Sequence, residues 1–215
     1  MATSRRALLI STGLALGFLF VAGILRVFLD LPFAKLFRDP VSLAGVPHYY
    51  GMFSQMSLII WSVAIGGLLL PYSLGRKMLG SYTGFMTYGL LLTLLLTLDD
   101  GFLLHESDSF KPFGIPVLYL VYVGGILFYL ILFWRQILAS PFPLLLVALG
   151  LLGFSMVFDE IPGRGDFLHS EMVYFIEDGC KLAGIIFWAA YQIHTGRAII
   201  RGELIGSGST ASPPH

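Results

Sequence analysis

Six stretches of mainly apolar residues, each near the roughly 20 residues needed to cross about 30 Å of hydrocarbon, take up most of this 215-residue chain. They lie near residues 7–29, 52–72, 79–105, 116–138, 141–158 and 167–195, and the first five are almost free of charge. The fold expected is an all-α, integral membrane six-helix bundle over residues 1–205, with 206–215 as a flexible tail. Composition points the same way. Only 12% of the residues are charged, about half the supply of a soluble domain, and too few to coat a surface facing water. Basic and acidic residues number 13 each, so the basic excess that nucleic-acid binding requires is missing. The lone cysteine, Cys180, excludes intramolecular disulfides, thiolate zinc clusters and iron–sulfur ligation.

Proline and glycine mark most of the connections. Pro71 ends the second stretch, Pro116 begins the fourth, and Ile161-Pro162-Gly163 closes the fifth. The one longer loop, 30–51, is broken by Pro32, Pro40 and Pro47 and is expected along the interface. Ser4-Arg5-Arg6 before the first stretch has the look of an export signal. Ala22-Gly23-Ile24-Leu25-Arg26 offers no good cleavage site, so an anchor is expected. Lys and Arg in the short loops set orientation. With both termini cytoplasmic, in a bacterial inner (plasma) membrane, Arg5, Arg6, Arg76, Lys77, Arg135, Arg197 and Arg201 lie inside, against five basic residues outside. All acids but Glu203 then fall on the outer side or in spans that reach it.

Three helix ends converge at that side. The third stretch finishes Asp99-Asp100-Gly101-Phe102-Leu103-Leu104-His105-Glu106. The fifth finishes Asp159-Glu160, and the sixth runs from His169-Ser170-Glu171 to Glu177-Asp178-Gly179-Cys180-Lys181. Asp99 and Glu106 are two helical turns apart, as are Glu171 and Asp178. Glu177 and Lys181 have the i, i+4 order that suits an ion pair along one helix. Glu177, Asp178 and Lys181 also fall about 12–18 Å beyond His169, inside the membrane, where a charge costs about 2.5–3.5 kcal/mol and faces a partner or a cavity. These residues form the expected site. His105, His169, Asp99 and Asp100 are the candidate metal ligands, Glu106 and Glu171 the candidate proton-handling carboxylates, and Glu177, Asp178 and Lys181 an intramembrane ion-pair set. Asp108, Lys111 and Arg164 read as loop charges, His194 as interfacial, and His48 as part of an aromatic belt.

Imidazole with carboxylate suits a divalent metal such as zinc, iron or manganese. The Glu-x-x-His spacing of four-helix di-iron sites does not occur, since His105-Glu106 are adjacent and His169-x-Glu171 are two apart. Glu177-Asp178-Gly179-Cys180-Lys181 resembles the retinal-lysine helix of microbial rhodopsins, which have seven helices and a counter-ion helix that no span here matches, so retinal is not expected. Phe158-Asp159-Glu160-Ile161-Pro162 resembles a step of the alkaline ceramidase-like membrane hydrolases, whose final-helix His-x-x-x-His pair is missing here. The Asp99–Glu106 and Glu177–Tyr191 segments together resemble an uncharacterised bacterial multi-pass membrane protein family, a likeness that implies no activity.

Three functions stay open on these residues. One is a metal-dependent enzyme acting on a lipid or other amphiphile at the outer leaflet. Another is a proton- or cation-coupled carrier using Asp99, Glu177, Asp178 and Lys181. The third is a non-catalytic subunit of a larger membrane complex, with the bilayer and other membrane subunits as partners. Imidazoles among the acids favour the enzyme, whereas a purely carboxylate–lysine set would favour the carrier.

Overall fold

The computed structural model describes residues 2–38, 40–74, 79–104, 117–159 and 171–204, and among them every regular element is a helix. The chain divides into two compact units, Met1–Met52 and Phe53–His215. The first holds α1 (Ala2–Phe28) and two short helices, α2 (Phe33–Phe37) and α3 (Pro40–Ala44). Arg26 pairs with Asp30 one turn on, at 2.5 Å, in a bridge at the end of α1 whose Asp30 side is almost fully exposed.

The second unit is built from α4 (Met52–Ser73), α5 (Thr83–Phe102, entered through a 3-10 turn at Gly80–Tyr82), α6 (Val117–Leu132), α7 (Trp134–Ala139), α8 (Phe142–Asp159) and α9 (Glu171–Ile200). Among the described residues, three helical segments are long and apolar enough to cross a membrane: Ser11–Phe28, Met52–Ser73 and Gly80–Phe102. α6 and α8 are shorter apolar helices. α7 continues α6 through Phe133, whose N–H reaches Tyr129 and whose carbonyl accepts from Ile137. Residues 117–139 together are about 34 Å long at about 1.5 Å per residue. α9 is 30 residues long but carries Glu177, Asp178 and Lys181 in its first half.

Side-chain pairings fix the direction of each helix. Phe85 meets Phe133, Tyr88 stacks on Tyr129, and the Tyr88 hydroxyl donates to the Gly125 carbonyl, so α5 and α6 run antiparallel. Leu152 faces Gly184 while Ser140 faces Tyr191, so α8 and α9 run antiparallel. Ser57, Asp100 and Lys181 meet at one end of the unit, whereas Gly67 meets Gly196 further along, which makes α4 and α9 parallel.

Pro71 does not end α4, as the sequence suggested; the helix runs on to Ser73. A proline inside a helix leaves the carbonyl four residues back without its N–H partner, here that of Gly67. That carbonyl lies against Gly196 of α9, where an added Cβ would stand 2.5 Å from it. Ile193 packs on Gly67 in turn, with its Cγ1 2.9 Å from the place of a Cβ. Small residues let two backbones approach in this way, and close packing is what drives helix association where lipid removes the hydrophobic term. Below this crossing the core is aromatic: Phe85, Tyr129, Tyr191 and Trp188 are fully buried. Many large apolar side chains on the helix exteriors are exposed, including Phe18, Phe20 and Ile131, a surface that suits lipid rather than water.

Candidate functional site

The end of α5, the start of α9 and the facing turns of α4, α6 and α8 enclose a cavity of about 430 Å³. Its walls are segregated. Asp99, Asp100, Glu177, Asp178 and Lys181 line one end, with Tyr119, Tyr122 and Ser155 beside them. Leu96, Ile126, Leu130, Leu149, Leu152 and Ile185 line the rest.

The centre of the charged end is an interhelical ion pair. Lys181 Nζ lies 2.6 Å from Asp100 Oδ1, with the lysine side chain 35% exposed and the aspartate 5%. The Ser57 hydroxyl donates to Asp100 Oδ2 at 2.5 Å and also contacts the Ser54 carbonyl one turn back. A buried carboxylate with a cation on one oxygen and a hydroxyl on the other has most of its hydration replaced. Sequence spacing pointed to Glu177 or Asp178 as the partner of Lys181; the bridge described here crosses to Asp100 of α5. Helical geometry allows it. Lysine has a long flexible stem, and the last turn of α5 brings a carboxylate to the cavity wall at the depth of Lys181.

Asp99 is buried beside the Tyr122 hydroxyl. One Glu177 carboxylate oxygen is shut away from solvent, whereas Asp178 is exposed at the cavity. α5 ends just after Asp100 because Leu103 takes a left-handed conformation, φ 50°, and caps it. That termination leaves the two aspartates in the final turn, where the chain leaves the helix.

His105, Glu106 and His169 lie outside the described residues, as do Glu160, Asp108, Lys111 and Arg164. Glu171 opens α9 and Asp159 ends α8, with side chains outside the described set. Among the described residues no group of three or more His, Cys, Asp and Glu side chains is arranged to hold a metal ion. The described part of the site is therefore a carboxylate–lysine set.

Several residues at the site carry no mark in the sequence. Trp61 lines the cavity one turn beyond Ser57, which bonds Asp100, and Tyr119 and Tyr122 line it one turn apart on α6, so each pair shares a face. In a chain that is 14% aromatic, nothing sets those tyrosines apart from belt residues. The indole of Trp61 is 3% exposed, and its N–H has no hydrogen-bond partner among the described residues.

Polar groups also continue beyond the cavity along α9. Trp188, fully buried, donates its indole N–H to Thr93 Oγ1 at 3.1 Å, and Thr93 donates to the Gly89 carbonyl at 2.7 Å. Gln192 and Thr195 follow at helical spacing, both fully buried, and neither end of the Gln192 amide is hydrogen-bonded among the described residues. Lys181, Trp188, Gln192 and Thr195 thus share one face, interrupted by Ile185.

Residues 9–195 match the model of a domain of unknown function, DUF8692. The chain belongs to that family. No curated protein and no solved structure matches it.

Proposed function

We propose that this protein is a proton- or cation-coupled membrane carrier, with the cavity between α4, α5, α6, α8 and α9 as its loading site. The observation that carries the reading is the Lys181–Asp100 bridge set in the wall of a cavity lined by three further carboxylates. Charges buried in a membrane protein are costly, and they are kept where they pair with one another and line a path for ions or protons. A bridge one-third open on its lysine side can exchange partners when a cation arrives. A purely structural pair gains little from facing a cavity of this size. Beyond Ile185 the buried face of α9 stays polar at Gln192 and Thr195, toward the far end of the unit.

In this reading the chain is a six-helix bundle in a bacterial inner membrane, both termini cytoplasmic, with the charged end of the cavity outward. Proteoliposomes with a pH-sensitive dye inside test it. Outward gradients of sodium, potassium or an alkylammonium ion should drive proton movement that Asp100→Asn and Lys181→Met abolish. Proton movement equal to that of protein-free liposomes under every one of these gradients would overturn the proposal.

The metal-dependent enzyme keeps a place on one ground. His105 follows Asp100 by five residues and His169 precedes Glu171 by two, so both imidazoles flank the cavity acids in the chain. They would supply nitrogen ligands for zinc, iron or manganese. Elemental analysis of the purified protein separates the two readings.

A further inference from the structure

The cavity restricts its ligand by shape, by polarity and by charge. At about 430 Å³ it falls within the range of small-molecule sites, about 300–1,000 Å³. The cavity also runs deep, about 16 Å along α6 from Tyr119 to Leu130. Its inner part is lined by leucine and isoleucine, which offer a tail apolar contact and no hydrogen bonds.

The head end selects charge. The Lys181–Asp100 bridge cancels one charge of each sign. Asp178, exposed on the cavity and three residues before Lys181, adds a carboxylate that no ion pair among the described residues neutralises. A cation placed there gains a charge-assisted contact, and an anion meets repulsion. Independently of the acids, the Trp61 indole N–H, buried in the cavity wall and without a hydrogen-bond partner among the described residues, awaits an acceptor. A buried donor of this kind costs free energy until a ligand oxygen satisfies it.

From these features we infer that the cavity binds a single-chain amphiphile with a cationic head group, its head at Asp178 and its tail toward Leu130 and Leu149. The inference depends on the carrier reading only for transport of the bound ligand; binding itself stands apart from it. Entry with the tail inward matches the arrangement of an amphiphile in the outer leaflet, so the ligand need not turn over to load.

Gly153 gives a steric control. It lines the cavity, and a Cβ there meets nothing within 4 Å, so a substitution at this position starts from open space.

The test is equilibrium binding of radiolabelled lauroylcholine, a cationic head on a single chain whose ester oxygen can accept from the Trp61 N–H, with laurate in parallel, to the full-length protein in nanodiscs of zwitterionic lipid, subtracting empty nanodiscs. Saturable binding of the cation at least about tenfold tighter than laurate is expected. Asp178→Asn should weaken it about five- to tenfold, and Gly153→Leu should abolish it while the melting temperature is unchanged. Equal binding of laurate would overturn the inference. So would unchanged binding in both variants. Binding as expected without proton flux leaves the ligand class standing and removes the carrier. Flux driven by sodium or potassium without alkylammonium binding removes the ligand class alone.

Discussion

Replacing Lys181 by methionine probes the charge that the cavity is built around. At 2.6 Å, two unit charges attract by about 6 kcal/mol at an effective dielectric of about 20 and by about 1.6 kcal/mol in bulk water. Asp100 is almost wholly out of solvent and Lys181 one-third in it, so the pair sits between those limits. Much of the attraction offsets the desolvation of Asp100. Lys181→Met removes the attraction and leaves that cost, with the Ser57 hydroxyl still donating to the carboxylate. Breaking a buried pair costs about 3–5 kcal/mol, and the exposure of the lysine places this one near about 3 kcal/mol. Asp100→Asn should cost less, about 1–2 kcal/mol, because the ammonium can turn toward water and the amide keeps Ser57 as a neighbour. The double variant strands neither charge, so it should be more stable than Lys181→Met alone, with a coupling of about 2 kcal/mol. Reversible unfolding in mixed dodecylmaltoside–SDS micelles, followed by tryptophan fluorescence, measures all four proteins. Additive losses, with a coupling under about 0.5 kcal/mol, would show that Lys181 is solvated and would refute the buried bridge.

The α4–α9 crossing predicts a sharp contrast among glycines: Gly196→Leu should destabilise strongly because its Cβ meets the Gly67 carbonyl at 2.5 Å, whereas Gly66→Ala, with open space around its Cβ, should be neutral or gain up to about 1 kcal/mol. The same unfolding assay reads both. Thr93→Val removes the acceptor of the buried Trp188 indole and should cost about 1–3 kcal/mol, with a change in tryptophan emission. Reporter fusions at residues 1, 77 and 215 should share one side of the membrane and one at residue 109 the other; agreement between 77 and 109 would dismantle the six-span topology. For the metal reading, elemental analysis should find about one metal per chain, lost in His105→Ala and His169→Ala, and a metal-free protein unaffected by those changes would remove the enzyme.

How legible a feature is in the sequence depends on whether the spacing behind it is local. Apolar length is local, so the helices appear close to where it places them: 52–72 corresponds to α4, 141–158 to α8, and 116–138 to α6 with α7. A charge within an apolar run is local as well, which is why Asp99, Asp100, Glu177, Asp178 and Lys181 stand out in the bare sequence. Partners across helices are not local. Periodicity along one helix offers Lys181 only the acids of its own helix, Glu177 and Asp178, while the bridge depends on where the end of α5 is held against α9. That placement is set by contacts with no sequence signature. They include a carbonyl freed by Pro71 lying against Gly196, and Leu152 resting where a Cβ of Gly184 would stand, at 2.7 Å. Glycines are frequent in such helices, and 25 of them in this chain leave no means of singling out the three that fix the packing. The polar site is therefore readable as a set of residues and unreadable as a geometry. Its function depends on the geometry: the same five charged residues scattered around a solvated rim would be ordinary interfacial charges. Drawn to one end of an apolar cavity, they interact more strongly than in water, since the apolar walls lower the local dielectric around them.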